Sequence, residues 1–276
     1  GTQNFIGGSG VVIKPVGLDL EKMVVKEPSS LVFSLTSQTS RFWNQTSEIP
    51  ATLVAASKLI RNSLKNARDY AENKKLSDYN QRLEAMMPVI QRKVPAIFQA
   101  NTVDEIREAM KIAEDFNLNL VVAGGVETHK IAEELAAADV GVILGNSGAA
   151  SSEIRGGGAG WSMEGPAILS RAGVKVAFFG PGGSRRASPI GRLGGEPALN
   201  AAWAFRNGTT EVEALKMGTL NAAEILGLGD QLGSIESGKQ ADFVVLEGHP
   251  FQYNVLPVMV FVDGRLEVDL RGGKLP

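Results

Sequence analysis

Cysteine and histidine, the side chains that proteins most often use to bind transition metals, are nearly absent from this chain. Its 276 residues include no cysteine and two histidines, His129 and His249. The lack of cysteine excludes disulfides, iron–sulfur clusters and thiolate metal sites. A binuclear zinc site usually draws on several imidazoles together with carboxylates, which two distant histidines do not supply alone.

Strong charge and long apolar runs are lacking as well. The formal net charge is −2, which gives no general attraction to nucleic acid or to an anionic membrane surface. No apolar run is long enough to span a bilayer. The chain opens with Gly1 rather than Met, which is typical of a processed or excerpted chain. The length and the 43% of hydrophobic residues predict one large domain, with or without a small appendage.

The hydrophobic pattern alternates between strands and helices over most of the chain. After a Gly7–Gly10 turn that leads into a strand, the pattern predicts helices over 50–75 and 76–89. Strands follow over 96–100, 118–123, 140–144 and 174–179, separated by helices, one of which begins at Thr102 with Glu105 completing a capping box. This repetition is typical of a parallel sheet covered by helices.

From residue 229 onward the pattern changes to short strands over 241–246, 258–262 and 265–268, with an Asp263-Gly264 turn. We therefore predict two parts, an α/β part over 1–228 and a β segment over 229–276. Asp242 is expected to accept hydrogen bonds from backbone groups or Lys239 at their junction, and His249 is expected to lie in a structural turn.

The segment SIESGKQADFVVLEGHPFQYNVLPVMVFVDGRL, residues 234–266, closely resembles the C-terminal segment of the metal-dependent amidohydrolase superfamily. NFIGGSGVVIKPVG and AIFQANTVDEIREAM resemble its imidazolonepropionase-like and dipeptidase-like members. The resemblance implies a partial TIM (β/α)8-type barrel, about strands 3–8, with a small C-terminal β-sandwich segment. It also implies divalent metals at the strand ends, which lower the pKa of a bound water to about 7 for attack on a C–N bond.

The metal-binding positions of that family are degenerate here. The His-x-His motif of the first barrel strand has no counterpart, since the match begins downstream of it. The other positions that align with metal ligands hold side chains that bind zinc weakly or not at all: Val32, Gln99, Asn101, Gly124 and Gly180. The resemblance therefore implies an amidohydrolase-like chain that has lost its metal site.

Several residues remain candidates for binding a small ligand at the strand ends: Gln99, Glu127, His129, Arg185 and Arg186. Asn101 is expected to help cap the following helix. Glu127 would suit a general base if its pKa were raised, and a lone histidine such as His129 is more often a satisfied edge residue. The two arginines lie in the loop 181–195, either clamping a carboxylate or phosphate or fully solvated.

Three functions stay open from the sequence. The first is a non-catalytic protein without a cofactor, paired with a copy of itself or with another chain that completes the fold, such as a catalytically intact amidohydrolase paralogue. The second is an active hydrolase of C–N bonds that uses zinc or another divalent metal in an atypical or partner-completed site. The third is a binding module that holds a polar ligand without converting it.

Overall fold

The computed structural model describes residues 4–37, 39, 52–73, 79–145, 160, 162–178, 197–252 and 255–271. Six strands in this part of the chain form one sheet in the order β1-β2-β3-β4-β5-β6. Their bounds are Ile6–Ile13, Val24–Ser34, Ala96–Ala100, Leu120–Gly124, Gly141–Leu144 and Val176–Phe178. Strands β2 to β6 are parallel, whereas β1 is antiparallel to β2. This curled sheet with its helices is part of a (β/α)8-type barrel, as predicted.

The antiparallel β1 differs from the uniformly parallel sheet that the pattern predicts. Only the ten residues 14–23 connect β1 to β2, too few for the crossover that parallel neighbours need. The predicted turn at Gly7–Gly10 is wrong, because these residues lie within β1. A Cβ at Gly7 would lie 3.2 Å from the Val32 carbonyl oxygen, so the glycine permits close approach to β2.

Most of the longer helices pack against the outer face of the sheet. In chain order, α1 to α10 span Leu20–Met23, Leu53–Asn73, Gln81–Glu84, Met87–Ile90, Val103–Phe116, Ala132–Ala137, Gly165–Arg171, Pro197–Arg206, Glu211–Gly218 and Leu220–Ile225, and a 3₁₀ helix spans Thr128–Ile131. The helix predicted over 76–89 is two short helices in its described part, and Pro88 lies at the start of the second. The capping box of Thr102 and Glu105 is confirmed at the start of α5.

The two faces of the barrel sheet have different partners. Phe33 and Phe98 belong to the main core beneath the helices, and both are completely buried. Along each strand, the residues that alternate with these core residues point to the opposite side, the barrel interior. On that side, Ile225 of α10 packs against Val121 and Ala177 and covers the lower part of the interior. Lys26 also reaches α10, donating a 2.6 Å hydrogen bond to the Leu226 carbonyl.

A second, three-stranded antiparallel sheet contains β7 to β9, Phe243–Leu246, Pro257–Val262 and Arg265–Asp269. It lies within the predicted 229–276 segment, and the division at residue 228 stays a prediction. Lys14, which follows β1, forms ion pairs with Asp242 and Asp263 next to this sheet. Asp242 also accepts a 2.8 Å hydrogen bond from the Asp263 backbone N–H. Its partners are therefore Lys14 and Asp263, whereas Lys239 donates to Ser234 and contacts Glu236.

Candidate functional site

The carboxyl ends of the parallel strands form one register-aligned layer of side chains on the barrel interior. Ser34, Gln99, Ala123, Ile143 and Ala177 are consecutive partners from β2 to β6. Active sites of barrel enzymes lie at this edge, where the loops after each strand meet. The layer contains one hydroxyl and one primary amide among aliphatic side chains, and none of its five members carries an imidazole or a carboxylate.

A cluster of buried hydroxyl groups continues from this layer. The Ser34 hydroxyl lies 2.8 Å from that of Thr39 and 3.2 Å from that of Thr36. All three residues are buried. Sequence reasoning missed this cluster, although the polar run that follows Leu35, Thr36-Ser37-Gln38-Thr39, is a signal that could have located it.

The positions that align with family metal ligands have little capacity to bind a metal. Val32 packs its side chain beside Gly7 of β1, and Gln99 lies in the strand-end layer. Gly124 has a φ of 93°, and a Cβ there would lie 2.6 Å from the Asn101 side-chain oxygen. A histidine at residue 124 would therefore be strained and would collide with Asn101. Gly180 lies outside the described residues.

Glu105 uses its carboxylate to join two loops at the strand ends. Its Oε1 accepts a hydrogen bond of 3.1 Å from the Ser37 backbone N–H, after β2. Its Oε2 accepts bonds of 2.7 Å and 3.2 Å from the N–H groups of Asn101 and Thr102, after β3. Asn101 therefore contributes its backbone N–H to the start of α5, whereas Thr102 is the N-cap that the structure assigns. Because the Glu105 carboxylate is buried and bonded to backbone groups, its role in this conformation is structural.

Glu127 is likewise held by neighbouring groups. Its carboxylate accepts hydrogen bonds of 2.6 Å from Lys130 Nζ and 2.9 Å from the Val103 backbone N–H. These two contacts outweigh the effect of burial and lower the pKa of Glu127. The raised pKa that a general base would require is therefore not present. The structure also brings Gly160 against this carboxylate, since a Cβ at Gly160 would lie 2.5 Å from Glu127 Oε1.

His129 lies in the 3₁₀ helix, two residues after Glu127. Burial is the largest influence on its pKa, and together with the nearby Lys130 it lowers the pKa despite a hydrogen bond to the Val126 backbone. The imidazole is therefore mostly neutral near pH 7. The other candidate cations, Arg185 and Arg186, lie outside the described residues. The structure thus brings Gln99 into the layer, with Glu127 and His129 after the neighbouring strand.

The described donor groups at this edge are not a typical ligand set for a zinc ion. Zinc sites in proteins use imidazole, thiolate and carboxylate ligands at about 2.0–2.3 Å. Gln99 and Asn101 offer neutral amide oxygens, and Glu105 and Glu127 are bonded to backbone N–H groups. Within the described ranges, there is no cluster of three or more His, Asp or Glu side chains suited to a metal.

Comparison with known proteins identifies the family of this chain. Residues 191–270 match the model of the Amidohydrolase family. The crystal structure of an amidohydrolase from Thermotoga maritima MSB8 superposes with a TM-score of 0.87 and 31% identity, covering 98% of this chain and 70% of that one. This chain belongs to the amidohydrolase family. The resemblance inferred from the C-terminal motif is confirmed, and so is the partial barrel.

Curated amidohydrolase relatives match over shorter segments. A 5-methylthioadenosine/S-adenosylhomocysteine deaminase from Symbiobacterium thermophilum is 32% identical over 36% of this chain and 27% of its own length. An imidazolonepropionase from Thermoplasma volcanium is 41% identical over 21% of this chain and 16% of its own length. The matched segments thus span well under two thirds of these relatives. In the described part of this family member, no helix combines the length and apolarity needed to cross a bilayer.

Proposed function

We propose that this chain is a non-catalytic member of the amidohydrolase family that acts as a structural or regulatory subunit. One observation carries the proposal: the strand-end layer from Ser34 to Ala177 has no ionisable side chain. Hydrolysis of a C–N bond near neutral pH needs an activated water or another strong nucleophile. The layer provides a glutamine and a hydroxyl, and neither of these groups ionises near pH 7.

The hydrogen bonds of the described carboxylates Glu105 and Glu127 support the same proposal. A carboxylate that acts as a base must exchange a proton with the substrate or with water. Glu105 and Glu127 instead bind the backbone N–H groups of neighbouring loops. Releasing either one would break contacts that hold these loops in place, which makes a change of role during a reaction unfavourable.

Association with a second polypeptide is the other part of the proposal, either with another copy or with a catalytically intact paralogue. Strand β1 is an edge of the six-stranded sheet. Val11 and Ile13 on β1 are each 48% exposed, and Val24, which pairs with Ile13, is 39% exposed. Unpaired edge strands with apolar side chains favour pairing with another chain. Native mass spectrometry is expected to detect a complex, and a stable lone monomer would contradict this part.

Metal content and activity test the loss of catalysis. The chain is produced without a histidine tag in medium containing zinc, manganese and iron, and its metal content is measured by elemental analysis. We expect well below one tightly bound metal per chain. We also expect no hydrolysis of acyl-amino acids, dipeptides or imidazolone rings, before or after metal addition. Stoichiometric metal together with hydrolysis that a chelator abolishes would overturn the proposal in favour of an active hydrolase.

A further inference from the structure

We propose that the strand-end layer binds an uncharged small molecule that donates a hydrogen bond to Gln99 Oε1. The inference rests on the proposed function, since it treats Gln99 as a group that recognises a ligand and not as the remnant of a metal ligand. It adds a binding site and a ligand chemistry, namely a neutral molecule with an N–H or O–H donor next to an apolar surface.

The side-chain oxygen of Gln99 is the group that requires a partner. Oε1 is inaccessible to solvent and has no hydrogen-bond partner in the part of the chain that the structure describes. A buried acceptor without a donor costs free energy, so proteins normally supply one from protein, water or ligand. Because Gln99 lies at the functional edge of the barrel, a ligand is a suitable source of that donor.

The flanking residues leave this acceptor unpaired. Ser34, its register partner on β2, lies within hydrogen-bond distance of the Thr36 and Thr39 hydroxyls. No hydrogen bond joins Ser34 to Gln99 Oε1. Ala123, the partner on β4, has no polar side-chain atom. A hydrogen-bond donor for Gln99 Oε1 therefore has to come from outside β2, β3 and β4.

The layer also indicates the charge and shape of the ligand. The Glu105 carboxylate accepts hydrogen bonds from three backbone N–H groups, and that of Glu127 pairs with Lys130 and accepts a hydrogen bond from the Val103 N–H. None of the five members of the layer is charged, so the layer itself offers an ionised ligand no counter-charge. Ala123 and Ala177 are small, and Ile143 between them is aliphatic. Ala123 and Ala177 are buried, so the partly exposed Gln99 and Ile143 are the members that a compact molecule with one polar edge and one apolar face would contact.

Three small probes of one ring size test the proposal. δ-Valerolactam supplies an N–H donor, cis-cyclohexane-1,2-diol supplies O–H donors, and N-methyl-δ-valerolactam supplies none. Binding to the full chain is measured by ligand-observed NMR titration in buffer with a chelator. We expect at least one donor probe to bind about tenfold more tightly than the N-methylated ring. The probe that binds better identifies whether an N–H or an O–H donor completes the site.

Two glutamines make a matched pair of variants. Gln99→Leu is expected to reduce binding of the preferred donor probe about tenfold, down to the level of the N-methylated ring. Gln240→Leu is the control, because Gln240 Oε1 is also buried without a partner among the described residues but lies outside the layer. It is expected to keep the affinity of the parent chain. Gln99→Met, an unbranched side chain of similar length, replaces Gln99→Leu if that variant fails to fold.

The outcomes separate this inference from the proposed function. The inference would be overturned if the donor and N-methylated rings bind equally, or if no probe binds. It would also be overturned if Gln99→Leu binds the preferred probe as tightly as the parent chain does. Each result would indicate an ordered water only. None of these results would alter the assignment as non-catalytic. Conversely, metal-dependent turnover would overturn the proposed function, while the chelator-treated titration would still report on Gln99.

Discussion

Two phenylalanine pairs in this chain have nearly the same geometry and very different surroundings. Phe33 and Phe98 stack in the barrel sheet with ring centroids 4.7 Å apart and an interplanar angle of 18°. Phe243 and Phe261 stack in the three-stranded sheet at 4.6 Å and 18°. The first pair is completely buried, whereas both rings of the second are partly exposed. The comparison therefore separates the contribution of stacking from that of burial.

The difference extends to the two sheets as a whole. Helices cover one face of the barrel sheet and create a continuous core with it. No residue of β7, β8 or β9 is fully buried in the described structure. Apolar burial is the dominant favourable contribution to folding. The barrel portion consequently holds most of the stability that the described residues provide, and the small sheet depends on its attachments.

Replacing one phenylalanine of each pair by alanine is expected to change the free energy of unfolding more than the other substitutions do. Phe98→Ala removes a fully buried ring and should lower the free energy of unfolding by about 3–5 kcal/mol. Phe261→Ala removes a ring of the same stacking geometry and should cost about 1–2 kcal/mol, since less area leaves contact with water. Denaturant unfolding followed by circular dichroism measures both. Equal losses would mean that stacking outweighs burial in this fold.

A buried carboxylate and an exposed one extend the comparison of burial to polar contacts. Glu105→Gln replaces a charged acceptor of three backbone N–H groups by an amide, and we expect a loss of about 2 kcal/mol. Glu134→Gln is the control, because Glu134 pairs with Arg107 at the surface, where solvent screens the pair and the effect on stability should be small. Thermal denaturation of the two variants under identical conditions checks the order. A larger loss in the control would contradict the structural role of Glu105.

Residue spacing predicted the strands β3 to β6 and the buried side of α2, because apolar periodicity directly reflects one covered face. It failed at Gly7–Gly10, a part of β1 in which close contact with β2 explains Gly7 and Gly10. The positions that align with metal ligands were inferred from the family motif, and the loss of metal binding there stays a prediction. The bonds of Glu105 to the loop after β2 could not, since Ser37 is 68 residues away in sequence and only the folded sheet brings the two together.

Lys14 tests whether the small sheet depends on its attachment to the barrel. Burial acts to lower the pKa of Lys14, but hydrogen bonds and charges from Asp263 and Asp242 outweigh it and leave the pKa raised. Lys14→Met keeps much of the aliphatic stem and removes the charge. We expect a loss of about 1 kcal/mol, with faster amide hydrogen exchange in β7 to β9 and unchanged exchange in β3 and β4. Uniformly faster exchange in both sheets would contradict an attachment that serves the small sheet.

The smallest effect is expected at Asp269, at the end of β9. Hydrogen bonds from the Arg271 side chain and backbone lower the pKa of Asp269 from 3.8 to about 2. Because the folded-state pKa is depressed, the contribution of this pair is fully present above about pH 3.8 and is lost as the pH falls towards 2.

Arg271→Ala is expected to return the pKa of Asp269 towards 3.8, as measured by NMR titration of its carboxyl carbon. Arg107→Ala, which removes a surface guanidinium from the barrel portion, is the control and should leave that titration unchanged. Both side chains of the Asp269–Arg271 pair are well exposed, at 37% and 60%, so solvent screens the pair and the melting temperature should hardly change. A large shift in melting temperature would mean that this edge of the small sheet is covered in solution, because only a desolvated ion pair contributes strongly to stability.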